Sequence, residues 1–245
     1  MSKDKQGFGE QAISKAAEIG FSSQLDEAQE LDVEIETNPL EALQGKVDSV
    51  SVTGKKLVQI SLHLEEMKMH IGCINIDAMS AAFADIKLTK PTDATARFIL
   101  TEQDISRALN SELMHNQLQN FKVQVDGQPM AVDVQQAEFF LPGDGKIGVK
   151  AEVFLQETSE THLVAFTAVP NLGRSGTISL KDIQYSEGEN LSPELTKILQ
   201  DKITRLLGMR DFALERMSLH ITNLEVQKDS MIIQSESHVE RLPSS

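Results

Sequence analysis

Apolar and polar residues alternate with a period of two over most of the chain, which predicts strands rather than helices. Leu31, Val33 and Ile35 alternate with Asp32, Glu34 and Glu36, giving a strand with one buried and one acidic face. Val50 and Val52 open a second run, followed by a turn at Gly54 and alternation through Val58, Ile60, Leu62 and Leu64. Met67, Met69 and Ile71 continue in a changed phase, which predicts a bulge or turn near Glu65-Glu66. Ile86 and Leu88 read as a short strand, and Ala94, Ala96, Phe98 and Leu100 as a longer one. The middle reads as hairpins. Phe121, Val123 and Val125 run into Asp126-Gly127, a strong turn signal, and Met130, Val132 and Val134 return. Ala137 to Leu141 leads to a turn at Pro142 to Gly145, and Val149, Ala151, Val153 and Leu155 return. Leu163 to Val169 pairs next, then a Gly-rich loop at Asn171 to Gly176, then Ile178, Leu180 and Ile183. Met217, Leu219 and Ile221 turn at Lys228-Asp229 into Ile232 as a closing hairpin, with a loose tail from His238.

Helical spacing is rarer. Phe8, Ala12, Ile13, Ala16, Ala17 and Ile19 predict an N-terminal helix packed on the body, ended by Gly20 and Ser22-Ser23. Pro39 starts a short helical turn over Leu40 to Gln44 that Gly45 stops. Ala78 to Ala84 reads as a small helix. Thr101 and Asp104 form a box-like N-cap on a helix whose single apolar stripe is Ile105, Leu109, Leu113 and Leu118. The clearest helix starts at Ser192-Pro193 and buries Leu195, Ile198, Leu199, Ile203, Leu206 and Leu207 before Gly208. Ten to twelve mostly hairpin-connected strands with two long helices make an α+β chain. The expected organisation is a helix over 1–24 packed on a single domain over 25–240, with a loose tail at 241–245.

Composition narrows the function. The 245 residues are 40% hydrophobic and 24% charged, so a core can form. The net charge of −14 repels phosphate backbones, whose binding rests on Lys and Arg displacing counterions, and argues against a nucleic-acid partner. The same sign disfavours strong docking on anionic lipid surfaces. No run of 18 apolar residues and no signal-type opening is present, which predicts a cytoplasmic protein, peripheral to a membrane at most. The single cysteine, Cys73, allows no internal disulfide and reads as a small buried hydrophobe.

Candidate chemistry is sparse. Gly143, Gly145 and Gly148 spell G-x-G-x-x-G, but alternation follows Gly148 where a dinucleotide site needs a helix N-terminus, so the match is a hairpin turn. Gly173-Arg174-Ser175-Gly176 falls one residue short of a nucleophile elbow and reads as a flexible turn. The six histidines, His63, His70, His115, His162, His220 and His238, show no metal-ligand spacing. No cofactor or metal is called for, and the chain reads as no enzyme. What remains is apolar: ten Phe, nine Met, one Tyr and no Trp. Flexible Met beside Phe suits a site for a variable chain-like ligand, or an ordinary core.

Several segments together resemble one family. Asn38-Pro39-Leu40-Glu41-Ala42-Leu43-Gln44-Gly45-Lys46-Val47-Asp48-Ser49-Val50 is similar to the short-helix, Gly, basic, strand opening of the LmeA family of phospholipid-binding proteins. Leu100-Thr101-Glu102-Gln103-Asp104-Ile105 with Ala108-Leu109-Asn110 resembles its strand-to-capped-helix junction, and the late Leu-rich helix and closing hairpin fit it. The likeness spans roughly residues 10 to 240 and looks closest to cyanobacterial members lacking a secretion signal. It implies a fold similar to the tubular lipid-binding (TULIP) modules, a long curved antiparallel sheet wrapped around one or two helices. It also implies an apolar groove for lipid chains and no catalytic constellation.

The expected function is non-enzymatic binding, with carrying as an extension, of phospholipid or another acyl or isoprenoid lipid, with transient membrane contact. The residues expected to line the groove are Met67, Met69, Phe98, Leu109, Leu113, Phe121, Phe139, Phe154, Phe166 and Ile198. Two alternatives stand beside it. One is an interaction protein with a filled core, binding a partner through an edge strand or the acidic face. The other is a hydrolase using Ser175 or Cys73.

Overall fold

The computed structural model describes residues 14–15, 18–19, 21–23, 25–42, 44–59, 62–75, 88–125, 127–174, 176–185, 197, 199–204 and 217–239. Their strands are β1 (Glu30–Glu36), β2 (Lys46–Val47), β3 (Ser49–Gln59), β4 (Leu62–Ile71), β5 (Ile74–Asn75), β6 (Thr92–Thr101), β7 (Phe121–Val125), β8 (Gln128–Gly143), β9 (Lys146–Leu155), β10 (Glu160–Leu172), β11 (Ile178–Tyr185), β12 (Met217–Val226) and β13 (Ser230–Val239). Helices α1 (Pro39–Ala42), α2 (Glu102–Leu109) and α3 (Glu112–Leu118) complete these elements. A six-stranded antiparallel sheet runs β1-β3-β4-β6-β13-β12, a five-stranded one β11-β10-β9-β8-β7, and β2 pairs β5. The chain is thus mostly antiparallel sheet with few helices, curled into a half-barrel.

In the six-stranded sheet the predicted alternation sets the two faces. Val33 pairs with Val52 and Ile35 with Val50, and all four are buried. Asp32 and Glu34 stand on the other face in the exposed edge strand, where like charges discourage further pairing. Lys55 clamps that edge through Glu30 at 2.6 Å, and the hydrogen bond and charge of Glu30 raise the Lys55 pKa above its ordinary value.

Two expectations on these strands need correction. Gly54 is not a turn; β3 runs straight through it. A Cβ on Gly54 would lie 2.6 Å from the Leu57 side chain, so any larger residue there would force Leu57 to shift. The change of phase is real, but no bulge or turn falls at Glu65-Glu66. The register Lys55↔Glu66 and Leu57↔Leu64 continues without an inserted residue. Lys56, opposite Glu65 and at φ 50, rotates the strand instead, and so Gly54 and Leu57 are both buried.

The five-stranded sheet matches the predicted hairpins. Asp144 (φ 54) and Gly145 (φ 71) form the turn between β8 and β9, so the glycine triplet is a hairpin as expected. A register shift between Val134 and Gln136 moves the inward set of β8 from Val132 and Val134 to Ala137, Phe139 and Leu141, all buried.

The capping box forms as read: the Thr101 hydroxyl accepts from the Asp104 N–H, and Asp104 accepts from the Thr101 N–H. The single stripe through Leu118 does not. The helix breaks at Asn110-Ser111, and Ser111 caps a second helix by accepting from Met114 N–H. The break has a tertiary cause, because the Asn110 amide is committed to the Ala137 backbone on β8, accepting its N–H at 2.9 Å and donating to its carbonyl.

The larger core joins both sheets. Val132, Ile147, Val153, Phe166 and Ala168 meet Leu100, Ile221, Met231 and Ile233 of the six-stranded sheet, with Met114, Leu118 and Leu199 from helical segments. The loose tail also needs correction. His238 and Val239 lie within β13, paired with Asp93 and Thr92, and His238 Nδ1 meets Asp93 Oδ1 at 2.7 Å. The small helix over 78–84, most of the first and last helices, and the tail at 241–245 lie outside the described residues.

Candidate functional site

Strand registers build the inner face of the six-stranded sheet row by row. One row crosses it as Val33, Val52, Met69, Ala96, Ser235 and Ile221. The next is Leu31, Gly54, Met67, Phe98, Ile233 and Leu224. A third is Ile35, Val50, Ile71, Ala94 and Ser237. Burial varies along the rows. Val33, Val52 and Val50 are sealed at one side, and Ile221, Met231 and Ile233 at the other. Between them Met67, Met69, Ile71, Ala96 and Phe98 are only half-buried, although β4 and β6 are central strands. The apolar residues accordingly form two cores. Val33, Ile35, Val50, Val52 and Ile74 make the smaller, with Met67, Met69 and Ile71 packed on it, while Phe98 and Leu64 pack on the larger.

The sequence-predicted residues divide. Met67 pairs directly with Phe98 at the seam between the cores, and Met69 lies in the next row, paired with Ala96. Leu109 and Phe121 are half-buried against the larger core, and Phe139 and Phe166 lie deep within it, 2% and 1% exposed. Phe154 stands on the other face of its sheet, opposite Asp133 and Thr161. Its place follows from the strict alternation of β9, in which Val153 and Leu155 take the buried positions. Ile198 lies outside the described residues, as does the Leu113 side chain.

A cavity of about 430 Å³ on the six-stranded sheet is lined by the polar residues Ser51, Thr53, Lys68, His70, Thr95, Arg97, Thr222, Gln234 and Glu236, and Val52, Met69, Ala96 and Ser235 of the intervening positions also border it. Its cations are tied to Glu66, Lys68 at 3.0 Å and Arg97 at 3.6 Å, and Ser51 Oγ lies 3.1 Å from His70 Nδ1. One sheet therefore separates an apolar from a charged surface. The sequence signal for this was the alternation itself, with polar residues between the apolar ones of β3, β4, β6 and β13.

Nucleophile candidates gain little. Cys73 is exposed, contrary to the buried reading, because it falls in the two-residue link between β4 and β5 rather than within a strand. Its sulfur accepts from the Asn75 side chain at 3.5 Å. Ser175 lies outside the described residues. Among the described residues no three His, Cys, Asp or Glu gather as a metal site, and no helix is long and apolar enough to cross a membrane.

A family model described as LmeA-like phospholipid-binding matches residues 4–236. The chain belongs to that family. The LmeA-like match runs from ahead of β1 into β13, so it takes in strands of both large sheets, helices α1 to α3 and the seam between the cores. None of the curated proteins and none of the solved structures matches the chain.

Proposed function

We propose that the protein binds the apolar chains of a phospholipid on the inner face of the six-stranded sheet, at the seam that carries Met67, Met69 and Phe98. The observation that carries this reading is a contrast in burial. Central strands of a sheet covered by a filled core bury their inward apolar side chains, yet here Met67, Met69, Ile71 and Phe98 stay half-buried between two cores. Unbranched, polarisable Met adapts to chains of varied length and saturation, and a Phe ring supplies a flat wall. Family membership supplies the ligand class. In this reading Phe139 and Phe166 back the site, Leu109 and Phe121 border it, and the fold works as a tubular lipid-binding module without catalysis.

Holding the chains requires no bond to form or break. The sheet removes hydrocarbon from water, at about 25 cal/mol per Å² of apolar surface buried, while the headgroup stays at the rim. Binding from a membrane and release to another follow if the protein touches the bilayer transiently. The test is an organic extract of the purified protein analysed by mass spectrometry. Phospholipid near one molecule per chain supports the reading, and lipid-free protein that takes up none from vesicles overturns it.

A filled-core interaction protein is the second reading. The acidic edge strand β1 favours it, since Asp32 and Glu34 face solvent. A protein partner lost on reversing Asp32, Glu34 and Glu36 supports that reading.

A further inference from the structure

Two polar rows run side by side across four strands of the six-stranded sheet. One is Thr53, Lys68, Arg97 and Gln234, and the other is Ser51, His70, Thr95 and Glu236. The residues between them, Val52, Met69, Ala96 and Ser235, alternate to the other face of the sheet. A trough is thereby left between the rows, crossing the strands, and both rows border the cavity of about 430 Å³.

Charge and hydrogen bonding along this trough are unbalanced. Lys68 and Arg97 are direct cross-strand partners, two cations side by side in a chain of net charge −14. Like charges placed opposite each other in a sheet are destabilising. One carboxylate, Glu66, serves both, at 3.0 Å from Lys68 and 3.6 Å from Arg97. The second contact is longer than a hydrogen bond. Among the described residues the half-buried Arg97 guanidinium donates to no acceptor, and the Gln234 side chain opposite it and the Thr95 hydroxyl have no hydrogen-bond partner either.

These groups are donors in excess beside a positive pair, which is the chemistry that recognises a small anion. We propose that the trough binds a phosphate group, with Lys68 and Arg97 holding its oxygens from one row and His70 and Thr95 from the other. Donors on two sides suit a tetrahedral oxyanion, whereas a planar carboxylate offers its acceptors along one edge. The Arg97 fork supplies paired N–H groups and Lys68 a point charge. His70 serves as a donor through Nε2 when Nδ1 accepts from the Ser51 hydroxyl, 3.1 Å away. The net charge of −14 opposes a polyanion, so the ligand carries a single phosphate. This site is separate from the lipid-chain surface and does not depend on it. The phosphate belongs to a soluble ester or to a headgroup in a membrane surface, and the test separates the two sources.

Inorganic phosphate is titrated calorimetrically into the full chain at low ionic strength. Wild-type protein saturates at one phosphate per chain. Arg97→Gln and Lys68→Gln each weaken binding by about tenfold, as expected for loss of a charged hydrogen bond, without lowering the melting temperature. Glu66→Gln, which releases both cations, tightens binding by roughly two- to fivefold. Vesicles of phosphatidylcholine containing phosphatidic acid that bind, and that inorganic phosphate displaces, assign the site to a headgroup. Binding of glycerol phosphate without vesicle binding assigns it to a soluble ester. Wild-type protein that shows no saturable phosphate binding, or binding that Arg97→Gln and Lys68→Gln leave unchanged, overturns the proposal while leaving the lipid-chain reading in place.

Discussion

The Ser106 hydroxyl bridges both backbone groups of Phe139, accepting from its N–H at 2.9 Å and donating to its carbonyl at 3.1 Å. One helical turn away on either side, Glu102 accepts from the Leu141 N–H and Asn110 holds Ala137. Residues four apart in a helix rise about 6 Å, and alternate residues of a strand advance about 6.8 Å, so the two periods nearly match. β7 pairs with β8 only as far as Val132, which leaves the rest of that edge to be covered by α2. Side chains thus stand in for a missing neighbour strand and close the edge to other chains.

Asn110→Ala leaves both Ala137 backbone groups without their side-chain partner and should cost about 2–3 kcal/mol, with Ser106→Ala nearer 1–2. Urea denaturation measures both. The double variant should also self-associate, seen as a concentration-dependent sedimentation coefficient, because it exposes an unpaired edge. A double variant that stays monomeric with wild-type stability would contradict the edge-covering role.

Gly148 lies across from Phe140, whose ring fills the space a side chain would need; a Cβ on Gly148 would sit 2.1 Å from Phe140 Cζ. Gly148→Ala should therefore destabilise by about 1–3 kcal/mol through overpacking. Phe140→Ala in the same chain should restore part of that loss, giving a favourable coupling in a double-mutant cycle. Additive losses would show that the ring simply moves aside.

Cys73 should react with a maleimide in the folded protein as fast as after denaturation, with one label per chain and an unchanged melting temperature. Protection that disappears only on unfolding would restore the buried reading.

Much of this architecture is legible in the residues. Alternation from Leu31 to Ile35 and from Phe121 to Leu155 maps onto strands because each has one sealed face and one wet face, so polarity reports direction. Thr101 with Asp104 announces a helix start because both partners of the box lie within one turn. Features set by distant contacts are hidden. The break at Asn110-Ser111 depends on Ala137, and two polar residues there suit the solvent side of an unbroken helix equally well. Lys56 at positive φ leaves no composition signal, so the change of phase is visible at Met67 while its cause is not. Met67, Met69 and Phe98 are readable as apolar, but their incomplete burial depends on how two cores divide one sheet.

The chain has no tryptophan, so Met69→Trp places a single reporter at the seam between the cores, and Leu163→Trp places one on the exposed outer face of the five-stranded sheet. Phospholipid carrying brominated acyl chains quenches tryptophan only on contact. The account predicts that bound brominated lipid quenches the Trp at position 69, that the one at 163 stays bright, and that unbrominated lipid quenches neither. Equal quenching at both positions, or none at 69 while lipid remains bound, would contradict the claim that the chains lie on the inner face of the six-stranded sheet.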